Sequence, residues 1–559
     1  MKMQTIVGAT MGECIHVAGI LSFLRIAESC GYKTDFLGAA IPVNELVASI
    51  SAVKPDIVAL SYRLLPQTAV ELLKTLKNEL AKKKIKGIRF IFGGTPPVAE
   101  IAEKSGIFNA VFYGNESLKT IETFLNQTPV RAKQGKKKTS GNLHAQTLLE
   151  RIEQQKPFPL LRHHLGLETV NKTVEHAHEI ALSCELDVLS IAPDQNAQEY
   201  FFEQNKMPNK GHGAGGVPVR KAADLRKIYN ATRCGNYPLL RCYAGTNELL
   251  KWAEMSKQTI NIAWGAIPLF WYSELDKRSN RTLENAISEN QQVMRWYAKR
   301  GIPLEVNDSH QWSLRDAHDA IAVCTAYLAA YNAKAAGVRH YVSQYMLNTP
   351  PETSPEMDIA KMLAKIEMIE SLHDKKFTSF REIRTGLRSM VLNPDYAKGH
   401  LTASITLGMF LKPHIIHVVG YCEADHAASS PEIIESCRIA RGAIRLAMRG
   451  IPDISIDPVI KARKLALIEE AGIILNAIEK LGKTKRDPLT DAATLTKAVR
   501  SGILDAPHLC GSGVAPGTVI TVPINGGYYA IDPSTKKPLS EKNRINKILS
   551  SVFSVPSVA

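Results

Sequence analysis

Three short clusters near the start of the chain carry residue types that can hold a ligand. Cys14-Ile15-His16-Val17-Ala18-Gly19 offers an imidazole beside a thiol, Ser61-Tyr62-Arg63 a hydroxyl and a cation, and Gly93-Gly94 two positions without side chains. An imidazole on a loop can ligate a metal. A serine hydroxyl can bond a buried polar group, and glycines let a ligand approach where a Cβ would intrude. Taken singly, His16 reads equally as an ordinary loop histidine and Gly93-Gly94 as a plain strand-to-helix turn. What makes them a constellation is the elements around them.

Residues 1–125 alternate strand and helix patterns: strands at 5–10, 33–40, 56–61, 88–94 and 110–114, with helices at 19–31, 42–53, 66–84, 98–106 and 117–125. Short apolar strands alternating with amphipathic helices imply a parallel sheet covered on both faces, a flavodoxin-like or Rossmann-like unit. All three clusters then sit at carboxyl ends of strands, where such sheets bind ligands. Residues 126–145 have linker composition and include the basic run RAKQGKKK at 131–138. From 146 to 480 the alternation continues on a longer scale, with strands predicted at 157–161, 187–192, 237–243, 260–265, 302–307, 340–346, 401–406 and 415–420. About eight such units suit a (β/α)8 barrel. Residues 481–559 form a strand-rich appendage, with a hairpin at Asn525-Gly526.

Composition narrows the function. With 559 residues, 45% hydrophobic and 22% charged, the chain can bury large cores and is neither disordered nor coiled coil. No apolar run is long enough for a membrane span. MKMQTIVGAT leads straight into a strand, so the expectation is a cytoplasmic protein without a cleaved leader. Nine scattered cysteines without a CxxC read as free thiols, neither a disulfide framework nor a structural zinc site. The net charge of +15 suits an anionic small substrate, while nucleic-acid motifs are lacking. His414 and His417 lie three apart on a predicted strand and face opposite sides. His163-His164 and His176-x-His178 read as lacking supporting carboxylates, and HGAGGVP (212–218) reads as a barrel loop. HExxH, GxSxG and Walker sequences are absent.

The first 125 residues resemble the cobalamin-binding domain, whose pattern is Asp-x-His-x-x-Gly, then Ser-x-Leu, then Gly-Gly. The resemblance implies that His16 is the lower axial ligand of cobalt. It places Gly19, Ser61, Gly93 and Gly94 along the slot for the cofactor's nucleotide tail. Cys14 stands where the family has the aspartate that orients the histidine, with Glu13 adjacent, and Arg63 stands where it has leucine. The remainder, about 155–540, resembles the barrel subunit of glutamate (methylaspartate) mutase. The likeness is clearest at 218–250, 300–323 and 412–450. It implies an adenosylcobalamin-dependent carbon-skeleton rearrangement, with Arg162 and Arg241 gripping substrate carboxylates and Glu423 contacting the adenosine ribose. It also implies a homodimer formed through the barrel. A third family arginine would fall near 194–200 and the amine-binding glutamate near 261–267. Both segments lack the residue, which points to a small carboxylic acid other than glutamate. The alternatives are a cobalamin-dependent methyltransferase, or a non-catalytic cobalamin sensor or carrier on a mutase scaffold.

Overall fold

The computed structural model describes residues 4–127, 144–207, 215–482 and 486–554. The basic run 131–138, most of the linker and part of the glycine-rich 212–218 segment lie outside these residues. Two compact units, Met1–Ser140 and Gly141–Ala559, divide the chain.

The first unit is a five-stranded parallel sheet of β1 (Thr5–Met11), β2 (Lys33–Ile41), β3 (Ile57–Ser61), β4 (Arg89–Gly93) and β5 (Ala110–Phe112). Their spatial order is β2-β1-β3-β4-β5. The chain runs outward from β1 to β2 and then returns across β1 to β3, so a crevice opens beyond the carboxyl ends of β1 and β3. β3 is buried at every residue, as a central strand covered on both faces must be. One face packs on Ile20, Phe23, Leu24 and Ala27 of the helix Ala18–Ser29. The other packs on Leu46, Val47 and Ile50 of the helix Val43–Val53, and on Leu73 and Leu76 of Pro66–Lys82.

The second unit is a nearly closed barrel of eight parallel strands: β6 (Leu160–Leu165), β7 (Val188–Ile191), β8 (Leu239–Cys242), β9 (Gly265–Ile267), β10 (Leu304–Val306), β11 (His340–Leu347), β12 (Thr378–Thr385) and β13 (Ile415–His417). The ladder order β8-β7-β6-β13-β12-β11-β10-β9 is the chain order run around a circle. At the open seam, the Ala263 N–H donates to the Leu240 carbonyl at 2.8 Å.

One predicted strand is corrected. Residues 401–406 (LTASIT) belong to the helix Pro394–Met409. Its N-terminus is fixed by Asn393, whose side chain accepts from the Asp395 and Tyr396 N–H groups. The buried residues Ala397, Leu401, Ser404, Ile405 and Gly408 recur at helical spacing despite the β-branched composition. The strand that takes the vacated place is β12, TSFREIRT, whose charged residues disguise it.

Strand side chains alternate between the barrel interior and the surrounding helices. Leu160, Val188, Leu239, Trp264, Val342 and Ile415 share one apolar cluster inside. Two residues onward, toward the carboxyl ends, the interior turns polar with Arg162, Ser190, Arg241, Gln344 and His417, joined by Glu305 and Glu382. A further two residues bring His164, Tyr243 and Arg384 to the C-terminal end. This layering aims polar groups at the end of the barrel where such folds do chemistry.

The antiparallel strands β14 (Thr521–Ile524) and β15 (Gly527–Ala530) turn at Asn525-Gly526, with φ of +47° and +79°. Two successive left-handed residues are what a tight hairpin demands. The hairpin is sewn onto the second unit: Tyr528 N–H donates to Asp319, and Ser354 N–H donates to the Gly526 carbonyl. The same region also contributes helices Ala492–Arg500 and Glu541–Ser554. Among the described residues, no helix is long and apolar enough to cross a membrane.

Candidate functional site

In the first unit, a cavity of about 420 Å³ opens at the carboxyl ends of the strands. His16, Gly19, Ser61, Arg63, Gly93 and Gly94 all line it, so the three clusters converge on one space. His16 and Arg63 are exposed, whereas Ser61 is buried at the end of β3. The loop presenting His16 is anchored at Cys14, whose carbonyl accepts from the Thr10 hydroxyl and from the Ala40 N–H. Cys14 is fully buried, and its Sγ lies 3.9 Å from His16 Nδ1. The thiol therefore occupies the orienting position beside the imidazole, and no hydrogen bond joins Glu13 to the ring among the described residues.

The glycines divide into two kinds. A Cβ on Gly19 or Gly93 would meet no atom within 4 Å and would project into open space at the cavity. A Cβ on Gly94 would stand 2.7 Å from the Tyr62 carbonyl and 2.9 Å from the Phe92 ring. Gly94 is thus required by strand packing, while Gly19 and Gly93 keep the slot empty. An exposed imidazole at a slot kept clear by two absent side chains, with Ile15 exposed beside it, fits a cobalamin.

In the second unit, Arg162 and Arg241 are fully buried in the polar layer. Arg162 is committed to the protein itself. Its Nε donates to Ser190 Oγ at 2.7 Å, Nη1 to Glu382 Oε1, and Nη2 lies 2.9 Å from His164 Nε2. No nitrogen of this guanidinium is left for a substrate, so the expected carboxylate grip does not emerge there. Arg241 differs. Only Nη2 is engaged, donating to Glu305 Oε2 at 2.7 Å, while Nε and Nη1 are buried without partners. Glu305 is held in turn by Trp264 Nε1 at 2.9 Å and Gln344 Nε2 at 3.3 Å.

Sequence reasoning missed three interior groups. Glu305 and Glu382 supply carboxylates that a search near 261–267 could not find. Arg384, two residues past Glu382 on β12, pairs with no carboxylate among the described residues, and its Nε is buried without a partner. The segment 194–200, which lacks an arginine of its own, receives Arg220, which grips Asp194 bidentately at 2.9 and 2.7 Å. Glu423 lies on the loop after β13, its Oε1 accepting from the Gly420 N–H at 2.8 Å and lying 3.1 Å from His163 Nε2. His163 does therefore have a carboxylate, brought by the fold. His417 Nε2 meets His164 Nδ1 at 3.2 Å, whereas His414 bonds the Arg381 N–H elsewhere, in keeping with opposite faces.

The interior field is positive. Burial, then the arginines at 162, 384 and 241, holds His164 well below the ordinary imidazole range. Burial followed by Arg162 and Arg384 does the same for His417, and burial followed by Arg384 and Lys365 for His310. These rings are neutral at pH 7 and can accept as well as donate hydrogen bonds. Burial works against the Glu305 charge, but Arg241 and Arg162 outweigh it and keep its carboxyl low. Burial prevails at Glu382, aided by the repulsion of Glu305, and raises that carboxyl despite Arg162.

Residues 4–121 match the family model of the B12 binding domain. No match to a curated protein is found. Among solved structures, the chain is similar to a novel cobalamin-binding protein from Desulfitobacterium hafniense DCB-2 at 23% identity and TM-score 0.21, covering 23% of this chain and 60% of that one. It is similar to a Rubisco-like protein from Rhodopseudomonas palustris at 9% identity and TM-score 0.31, over 55% of this chain and 70% of that one. It is also similar to the apo form of a cobalamin-dependent S-adenosylmethionine radical enzyme at 11% identity and TM-score 0.18, over 87% and 69%. The match and the parallel sheet agree that residues 4–121 form a B12-binding domain. That domain precedes an eight-stranded parallel barrel in the same chain.

Proposed function

We propose that this chain is an adenosylcobalamin-dependent mutase that rearranges the carbon skeleton of a small carboxylic acid. The observation that carries the reading is the pair Arg241 and Arg384, two guanidiniums inside the barrel with donors uncommitted in a field already short of anions. A substrate carboxylate would satisfy both with charge-assisted hydrogen bonds. The resemblance of the barrel sequence to glutamate mutase supports the same chemistry.

When bound, adenosylcobalamin supplies a cobalt–carbon bond whose homolysis yields a carbon radical able to take hydrogen from an unactivated position. His16 would hold the cobalt, Ser61 would bond the nucleotide tail, and Gly19 and Gly93 would leave the tail its room. Arg241 and Arg384 would fix the acid. Glu305, braced by Trp264 and Gln344, holds Arg241 in place. Arg162 acts through its neighbours, locking Glu382, Ser190 and His164 into one network. Glu423, backed by His163, would accept from a ribose hydroxyl. The apolar layer of Leu160, Val188, Leu239, Trp264, Val342 and Ile415 beneath them would help keep water from a reactive radical. Glu382 Oε2 has no partner, so the site also welcomes a donor group. Acids bearing a hydroxyl or amino group therefore belong in the first screen beside unsubstituted ones.

The test is to incubate the full chain with adenosylcobalamin tritiated on the adenosyl methylene and a panel of small acids. Tritium should pass into one acid, and the transfer should slow about 10- to 150-fold in Arg384→Met. Methyl transfer from labelled methylcobalamin, with no need for the adenosyl form, would instead mark a methyltransferase. Tight binding with no transfer to any acid would mark a carrier or sensor.

A further inference from the structure

We infer that Cys422, His426 and Glu432 form a binding site for one zinc ion at the C-terminal end of the barrel. Cys422 Sγ, a ring nitrogen of His426 and a carboxylate oxygen of Glu432 all lie within 4.8 Å of one another. The three come from the loop after β13 and the first turn of the helix Ser430–Ala447. Both the Asp425 and His426 N–H groups donate to the Cys422 carbonyl, at 2.9 and 3.0 Å. That turn brings side chains four residues apart to the same side.

The ligands are oriented by their neighbours. Asp425 Oδ2 lies 2.9 Å from His426 Nδ1, which assigns the proton to Nδ1 and directs Nε2 toward Glu432 Oε1 at 2.7 Å. A carboxylate behind a histidine in this way is the usual support of a zinc-bound imidazole. Glu432 is held by the helix cap: its Oε2 accepts from both the N–H and the hydroxyl of Ser429 at 2.8 Å, leaving Oε1 for the histidine. Cys422 is buried beneath them, and His426 is half exposed, so an ion has a way in. Sulfur, nitrogen and oxygen donors in a set of three are zinc chemistry, with a fourth position open to water or substrate. A tetrahedral ion needs the Nε2 to Oε1 distance to widen to about 3.3 Å, a side-chain adjustment. In binding, the cation replaces the proton between Nε2 and Oε1 and the thiol proton of Cys422, both released to solvent.

The test uses the metal-stripped full chain, free of cobalamin, titrated anaerobically with Co2+ and then Zn2+. One equivalent of Co2+ should give a thiolate-to-cobalt charge-transfer band with intense tetrahedral d–d absorption, and Zn2+ should erase both. Cys422→Ser should abolish the charge-transfer band. Asp425→Asn should keep it at about 10- to 100-fold weaker affinity. Cys234→Ser should leave it unchanged, although Cys234 Sγ also lies near a histidine, 3.4 Å from His178 Nδ1. His426→Ala, at a half-exposed position, guards against a misfolded Cys422 variant and should also remove stoichiometric binding. Absence of the band in the parent chain, its survival in Cys422→Ser, or stoichiometric binding retained in His426→Ala overturns the assignment.

Discussion

Two adjacent glycines close β4, and substitution should break them in opposite ways. A valine at Gly93 meets no protein atom within 4 Å of its Cβ and needs no unusual backbone angle. Its cost to folding should be that of an uncontacted position, within about ±0.5 kcal/mol. Its methyl groups fill the slot instead. A cofactor tail forced to pack around them loses about 1–3 kcal/mol, the usual toll of overpacking. That corresponds to about 5- to 150-fold weaker cobalamin binding. A valine at Gly94 puts its Cβ 2.7 Å from the Tyr62 carbonyl oxygen. That backbone cannot retreat, because the Tyr62 N–H is bonded to the Gly93 carbonyl at 3.3 Å. Gly94→Val should therefore lose about 1–3 kcal/mol of stability before any ligand is added. Aquacobalamin titration followed by intrinsic fluorescence gives the Kd, and urea unfolding of the ligand-free chain gives stability. A folded Gly93→Val protein that binds with the parental Kd would refute the slot as the place of the tail.

Further outcomes follow from the barrel and the loop. Arg384→Met breaks no ion pair, so the urea midpoint should hold while kcat/KM for the acid falls about 10- to 150-fold, the loss of a charged hydrogen bond. Arg241→Met strands Glu305 in the interior and should cost about 3–5 kcal/mol, measured by urea unfolding, with much of it recovered by adding Glu305→Gln. Burial and the neighbouring Lys361 push the Lys365 amine down to about 7 from an ordinary 10.5. Between those values the unfolded chain holds a proton that the folded chain lacks, so the stability cost is full below pH 7 and fades toward pH 10.5. Lys365→Met should raise the urea midpoint most at or below pH 7 and progressively less as pH rises.

The first unit was legible because its signals are local. Apolar strands buried on both faces cannot be mistaken for much else, and the His16, Ser61 and Gly93 clusters fall at strand ends that pattern alone locates. In the barrel, the interior hid from the same logic. β12 carries Arg381, Glu382 and Arg384, and charge in a strand reads as a solvent face, yet here the alternate residues point into a polar barrel layer. Missing that strand meant missing both Glu382 and Arg384, and LTASIT filled the gap because its β-branched residues outweighed a helical burial pattern. Arg162 was found, but its partners were not, since Ser190, Glu382 and His417 come from three other strands. The cysteine, histidine and glutamate at 422, 426 and 432 lack any compact metal motif. Only the loop after β13 and the cap at Ser429 bring them together.

The central claim is that the imidazole of His16 reaches cobalt. Its most direct test is the electron paramagnetic resonance spectrum of the cobalt(II) form of the cofactor bound to the full chain, recorded with ordinary and with heavy-nitrogen-labelled histidine. With His16 on the metal, a triplet splitting becomes a doublet on labelling and vanishes in His16→Ala. A splitting indifferent to the label and retained in His16→Ala would mean that the cofactor keeps its own base on the metal and that His16 is not its ligand.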